Sequence, residues 1–150
     1  MAKRPSKPKI QIQAIPVEQR GLRFSVQFLQ IDHDRFPIGR CPKEFFEALF
    51  REIARYQTFS VEAFQEACPA EHRHPIYFPG TAEPEGFPNI DPTSDDLWTD
   101  NSWQFGLSPD GKRYDGCGWR VHGFISEDVF YIVWFDPYHK LDPTPTGKKV

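Results

Sequence analysis

Five polar side chains near the carboxyl end of the chain have the types needed to act on a charged ester. Imidazole and phenol groups transfer protons, and guanidinium and ammonium groups stabilise negative charge that develops on a substrate. Groups of these kinds can cleave a phosphodiester through a neighbouring hydroxyl without a metal ion. The candidate catalytic residues are Arg120, His122, Tyr138 and His139, and Lys140 is a candidate substrate-binding residue.

These side chains come together only if the most apolar part of the chain folds as a β-hairpin. Two runs of β-branched and aromatic residues flank the charged turn 126–128, and an Asp-Pro pair ends the second run. A three-residue loop would place Arg120 opposite Trp134, so that the guanidinium stacks on the indole. A two-residue loop would shift the partners by one, although Arg120 and His122 would still share a face.

The composition is that of one globular domain with a strongly aromatic core. The chain has 150 residues, of which 39% are hydrophobic and 15% aromatic, including 14 Phe and 4 Trp. The formal net charge of −3 argues against a surface that binds phosphate over its whole extent, but it allows a local basic patch. Arg73 and Lys140 are candidate substrate-binding members of such a patch, and Trp134 is a candidate stacking residue beside it.

The sequence carries no sign of a membrane segment, a disulfide framework or a cofactor motif. No apolar run approaches the ~18 residues of a membrane span, and residues 1–9 lack the apolar segment of a signal peptide. Cys41, Cys68 and Cys117 are scattered and form no CxxC pair. Phosphate-loop, dinucleotide and serine-nucleophile motifs are not found either. We therefore expect a cytoplasmic protein with reduced thiols, no cofactor and no membrane contact.

The first half of the domain is predicted to contain one strand followed by two helices. Alternation of apolar and polar residues over 22–29 predicts a half-buried strand. Apolar residues recur at helical spacing over 42–57, and Ser60 can cap a second, short helix that ends near Ala67. In the first helix the predicted buried positions are Phe45, Phe46, Leu49, Phe50, Ile53 and Tyr56, and the predicted exposed positions are Lys43, Glu44, Glu47, Glu52 and Arg55.

The remaining strands are predicted in a short apolar run between two prolines, over 103–107 and in the final hairpin. We expect a single α+β domain over residues 22–141 with a long loop at 80–97. Flexible tails are predicted at 1–9, which is basic, and at 142–150. The element order β-α-α-β-β-β-β predicts an antiparallel sheet of four to five strands with both helices on one face.

The element order and the arginine-bearing strand with its polar tail resemble the RelE/ParE superfamily of small bacterial toxins. The resemblance covers about half of the chain, namely residues 24–29, 42–67 and above all 119–141. It implies a metal-independent endoribonuclease of a toxin-antitoxin system, with RNA or the ribosome as target and an antitoxin as partner. It also implies that Arg120 binds a phosphate and that residues 138–140 supply the acid, base and cation.

A second hypothesis, of a different class, is a non-enzymatic module that binds a protein partner on a toxin-like fold. The acidic net charge and the many aromatic residues motivate it, with Trp98, Trp103 and the 80–97 loop as the contact surface. Arg120 and His122 would then be structural residues. The final hairpin is also similar to an uncharacterised bacterial protein family, to which no activity can be attached.

His72 and His74 form a second polar cluster, just before the predicted edge strand. Two imidazoles at positions i and i+2 of an extended segment point the same way, and with a third ligand they could bind zinc or copper. No third ligand is evident from the sequence. An exposed basic loop is the alternative, and we predict no metal site.

Overall fold

The computed structural model describes residues 21–87, 101–112 and 117–142 of the chain. It contains a five-stranded mixed sheet and two α-helices, which confirms the predicted α+β class. Both predicted tails, apart from Asp142, and residues 88–97 of the predicted loop lie outside the described residues. Within the described part, none of the helices has the length and apolar character that a membrane crossing requires.

The elements follow the predicted order along the chain, with short 3-10 turns between them. The second helix is shorter than predicted, and the strand at residues 103–107 is displaced by one residue. The edge strand predicted within residues 71–79 is reduced to two residues, His74–Pro75, because the apolar run after it continues into a 3-10 turn at Phe78–Gly80. The helices and strands are β1 (Arg23–Ser25), α1 (Lys43–Tyr56), α2 (Val61–Phe64), β2 (His74–Pro75), β3 (Ser102–Gly106), β4 (Arg120–Ser126) and β5 (Val129–Asp136).

The strands lie in the order β1-β5-β4-β3-β2 across the sheet. β2, β3, β4 and β5 form antiparallel neighbours as predicted, but β1 runs parallel to β5, so the prediction of a wholly antiparallel sheet is wrong at this edge. The helices carry the chain from β1 at one edge to β2 at the other, and the later strands return until β5 lies beside β1. Alternation in a sequence shows which side of a strand is buried, but it does not show the direction of the strand.

Both helices pack on one face of the sheet, as predicted. Phe45, Leu49 and Tyr56 of α1 are buried there with Phe64 of α2, against strand residues such as Phe130. Burial of each such side chain stabilises the fold by about 1.5–3 kcal/mol. The Oγ of the predicted capping residue, at the start of α2, accepts the backbone N–H of the third helical residue at 3.0 Å.

Two positions of α1 were assigned to the wrong face of the helix. Phe50 is 65% exposed, whereas Glu52 is only 3% exposed. The buried stripe follows positions 45, 49, 52 and 56, and this spacing places Glu52 among apolar neighbours. Its carboxylate is compensated by the guanidinium of Arg55, whose Nη2 donates to Oε2 at 2.8 Å.

The first strand is shorter than the predicted 22–29. The Oγ of Ser25 accepts the backbone N–H of Gln27 at 3.1 Å, and this turn ends the strand. Val26 is consequently exposed, while Phe28 packs against the opposite face of the sheet from the helices. The segment after β1 therefore becomes part of the cover on that second face.

The second face of the sheet is covered by loops instead of helices. Phe28 and Phe36 come from the segment after β1, and Phe78 and Phe87 come from the segment after β2. They pack on a smaller aromatic core that includes Trp134 of β5. Side chains of β4 and β5 that point to this face are therefore covered, which decides the accessibility of the candidate site.

The hairpin has a two-residue turn, because Ser126 pairs with Val129. A β-bulge near Gly123 then shifts the register, so that Arg120 lies opposite Asp136 and His122 lies opposite Trp134. Of the two alternatives, the two-residue loop is therefore confirmed, and the three-residue loop with Arg120 stacked on the indole is wrong. The bulge adds one residue to β5, and no alternation pattern signals such an insertion.

Candidate functional site

Arg120 and His122 are buried under the loops of the second face. Their exposed fractions are 4% and 0%. Nη1 of Arg120 donates to the backbone oxygens of Cys117, at 2.7 Å, and Trp119, at 3.0 Å. Nε2 of His122 lies 3.2 Å from Oδ2 of Asp136. Both predicted catalytic groups are thus engaged with the protein itself and are closed off from solvent.

Asp136 is the centre of this buried network. Its Oδ1 accepts the backbone N–H of Lys140 at 2.8 Å, and its Oδ2 accepts that of Leu141 at 3.0 Å. Burial alone would raise the pKa of this carboxyl, but the hydrogen bond and charge of His122 and the two backbone N–H groups together lower it below the ordinary value. The carboxylate is therefore ionised, and it fixes the turn that follows β5.

That turn brings the other three candidate residues to the surface. Tyr138 is 60% exposed, and Nζ of Lys140 lies 5.6 Å from the centroid of its ring. His139 is half-buried, and its pKa is lowered by this burial and then by the positive charge of Arg120. The His139 ring is consequently uncharged at neutral pH. The structure brings the hairpin candidates into one region, but it leaves only 138–140 accessible.

Arg73 lies apart from this group, against the two helices. Its Nε donates to the backbone oxygen of Phe64 at 2.9 Å, and its Nη2 donates to that of Glu66 at 3.0 Å. The guanidinium also forms an ion pair with Glu71 and lies 5.5 Å from the ring centroid of Tyr56. These contacts leave the side chain buried, so it does not form a surface patch with the hairpin residues.

The tryptophans assigned to ligand contact are buried where the structure describes them. Trp134 is fully buried, and its Nε1 donates to Oε1 of Gln30 at 2.7 Å. Trp103 packs in the core beneath the helices, so its prediction as a contact residue is wrong. Trp98 lies outside the described residues.

The histidine pair and the cysteines form no reactive centre in the part of the chain that the structure describes. No group of three or more His, Cys, Asp or Glu side chains there is arranged to bind a metal ion. Nδ1 of His74 lies 2.8 Å from the backbone oxygen of Pro75. All three cysteines are unpaired, and burial raises the pKa of the Cys41 thiol to about 11, which makes it a poor nucleophile at neutral pH.

A groove of about 980 Å³ lies beside the covered face. Its size is within the range of ligand-binding sites. Lys140 is the only predicted site residue that lines it, and most of the other lining residues belong to the segment after β1. The lining residues are Gln27, Phe28, Leu29, Gln30, Asp32, His33, Asp34, Arg35, Arg40, Glu83 and Lys140.

His33 is held by hydrogen bonds within its own loop. Its Nδ1 accepts the backbone N–H groups of Arg35, at 3.0 Å, and Phe36, at 3.2 Å. In the neutral ring the proton is therefore on Nε2, which lies 3.6 Å from Oε1 of Glu83. The ring centroid is 5.1 Å from that of Trp134. The groove wall thus contacts the hairpin core through His33 and Trp134.

Among the described residues, only some of the charged side chains that line the groove form ion pairs. Nε of Arg35 lies 3.1 Å from Oε1 of Glu83, so these two charges are paired. No ion-pair partner within the described residues is found for two carboxylates and two cations that line the same groove. They are Asp32, Asp34, Arg40 and Lys140.

Sequence reasoning missed this groove. The signal was present as the run Asp32-His33-Asp34-Arg35, which is densely charged and lies between a predicted strand and a predicted helix. Functional residues concentrate in loops of this kind. No periodicity connects the run to Glu83 or Lys140, however, because only tertiary folding brings those residues beside it.

Comparison with known proteins identifies no relative of this chain. No protein-family model matches the chain, and no curated protein and no solved structure matches it. The resemblance to the RelE/ParE toxins therefore stays a prediction. Proposals about function have to be based on the residues themselves.

Proposed function

We propose that the protein is a non-enzymatic protein-interaction module that binds a segment of a partner protein in the groove. The observation that carries this proposal is the burial of Arg120 and His122. A general acid or base has to lie within hydrogen-bond reach of its substrate. These two groups instead form hydrogen bonds that stabilise the hairpin and the turn after it.

The charges of the groove favour a protein ligand over RNA. Its lining includes three arginine or lysine residues and three aspartate or glutamate residues, so the formal charges cancel. Nucleic-acid binding depends on cations that neutralise several phosphates, and carboxylates in the same groove oppose it. The net charge of −3 for the whole chain supports the same conclusion. A protein segment can present both signs of charge.

The proposal is tested with two probes on the purified full chain. We expect RNA, alone or within ribosomes, to remain intact, and we expect members of a displayed random-peptide library to be retained. Asp34→Lys should abolish peptide retention, because it reverses one charge of the groove. Glu47→Lys, on the exposed side of α1, is the matched control and should retain the peptides. Cleavage of RNA by the wild type, or equal retention by both variants, would contradict the proposal.

A metal-independent endoribonuclease is the second candidate, and one observation favours it. His139 has a lowered pKa, so its ring is uncharged at neutral pH, and it is adjacent in sequence to the exposed Tyr138 and the partly exposed Lys140. In this candidate His139 accepts the proton of the 2′-hydroxyl as its oxygen attacks the phosphorus, Lys140 stabilises the charge on the phosphorane, and Tyr138 donates a proton to the 5′-oxygen as its bond to phosphorus breaks. His139→Ala should then abolish cleavage, while Lys43→Ala, an exposed control on α1, should not. For either candidate we place the protein in the cytoplasm, where unpaired cysteines stay reduced.

A further inference from the structure

We infer that the ligand of the groove is an extended peptide segment that carries acidic and basic side chains together with a large apolar one. The inference depends on the proposed function, and it specifies the chemistry of the partner. It is based on the charges of the groove, on the exposed apolar side chains close in sequence to its lining and on its size.

The groove charges that have no ion-pair partner among the described residues suit a ligand of mixed charge. Asp32 and Asp34 can each take a lysine or arginine of the ligand, and Arg40 and Lys140 can each take a carboxylate. A polyanion would satisfy the two cations but would also meet the two carboxylates. A purely basic segment, such as the first nine residues of this chain, would satisfy the two carboxylates but would be repelled by Arg40 and Lys140. The repulsion between like charges disfavours binding of partners that carry charges of one sign only.

Exposed apolar side chains lie close in sequence to the residues that line the groove. Val26, Ile31 and Tyr138 are 61%, 56% and 60% exposed. Val26 precedes the lining residue at position 27, and Ile31 lies between two lining residues. The ring of Tyr138 lies beneath the ammonium group of Lys140. Exposed apolar side chains grouped at a polar site are typical of protein-binding surfaces. The ligand is therefore expected to place an apolar side chain here.

The number of charges and the volume favour a peptide over a single amino acid. A free amino acid has one backbone charge of each sign, whereas the groove offers two of each. The volume of about 980 Å³ accommodates several residues. His33 is held by a hydrogen bond in its own loop and by contact with Trp134. The groove wall therefore loses little conformational freedom when a segment binds.

Fluorescence anisotropy with synthetic peptide pools tests the inference. One pool has alternating acidic and basic residues with one leucine, and two others of the same length are wholly acidic or wholly basic. We expect only the mixed pool to bind the full chain. Asp34→Lys and Lys140→Glu should each weaken binding at least about tenfold, which corresponds to about 1.4 kcal/mol. Tyr138→Ala should weaken it too, while Glu47→Lys should leave it unchanged.

The outcomes separate failure of the inference from failure of the proposed function. Equal or stronger binding of a single-sign pool would overturn the inference, and so would dimerisation of the chain that Lys140→Glu abolishes. The proposed function is overturned by different results, namely RNA cleavage by the wild type or equal peptide retention by the Asp34→Lys and Glu47→Lys variants. Urea unfolding of each variant serves as the folding control, because all of the altered side chains lie on the surface.

Discussion

At the scale of single residues, Asp136 links strand β4 to the turn that follows β5. Its carboxylate contacts His122 on the neighbouring strand and the backbone of the turn that carries 138–140. The group is fully buried, so water cannot replace a lost partner. Removing the acceptor of several buried hydrogen-bond donors leaves those donors unsatisfied, which is costly.

Asp136→Ala is expected to lower the free energy of unfolding by about 3–5 kcal/mol, because the substitution leaves His122 and two backbone N–H groups without their acceptor. Urea denaturation followed by fluorescence measures the change. Glu47→Ala, at an exposed carboxylate of α1, is the control and should change stability by less than about 0.5 kcal/mol. A loss of stability for Asp136→Ala as small as that of the control would show that the network is not structural.

Asp136 also determines how the stability of the fold changes at acid pH. The pKa of Asp136 is lower in the folded protein than its ordinary value of 3.8, so the unfolded chain takes up the proton first. Its contribution is thus present above that value and is lost as the pH falls towards the folded pKa. Asp136→Asn should therefore lose less stability than wild type on going from about pH 5 to about pH 3. Parallel profiles for the two proteins would contradict this expectation.

The candidate site was predicted in part. The alternation of β4 correctly places Arg120 and His122 on one face, and the Asp-Pro pair correctly ends β5. Their burial was not predictable, because the covering residues come from segments without any period. Phe36 and Phe87, for example, lie far from the hairpin in sequence and yet cover it.

At the scale of elements, the bulge of the hairpin decides which residues meet. Gly123 lies where the register shifts, and a Cβ there would come 2.1 Å from the backbone oxygen of Tyr131 and 2.5 Å from Cε1 of Phe130. Only glycine permits this close approach of the two strands. The contact between the side chains of His122 and Asp136 depends on the strand register that the bulge sets.

Gly123→Ala is therefore expected to destabilise the fold by at least about 3 kcal/mol, at the upper end of the cost of overpacking, because the contact is with backbone that cannot move away. Thermal or urea unfolding measures the change. Gly80→Ala is the matched control, since a Cβ there meets nothing within 4 Å, and it should change stability by less than about 0.5 kcal/mol. Equal stability of the two variants would mean that the bulge is not present in solution.

Elements with a strong local signal were predicted best. The helix at 43–56 and the final hairpin have long periodic patterns, and both are confirmed within a few residues. The direction and length of β1 were not predictable. The parallel pairing of β1 with β5 depends on the path that the chain takes through the helices and the later strands. The end of β1 is set by one hydrogen bond, in which the Oγ of Ser25 accepts the backbone N–H of Gln27.

At the scale of the whole molecule, both faces of the sheet are covered. Helices pack on one face, and aromatic residues from two loops pack on the other. A covered sheet cannot serve as a platform for a substrate, so ligand binding is left to the loops. The groove beside the hairpin has charges of both signs that find no ion-pair partner in the described part of the chain, and we propose that it binds a protein segment.

Chemical modification of the histidines by diethyl pyrocarbonate, mapped by mass spectrometry, tests most directly whether this second face is closed. The reagent attacks accessible, unprotonated imidazoles. His74 is exposed and should react readily in the native protein, whereas His122 is fully buried and should react only after unfolding in urea. Modification of native His122 at the rate of His74 would show that the face is open, and it would return the hairpin residues to the catalytic role.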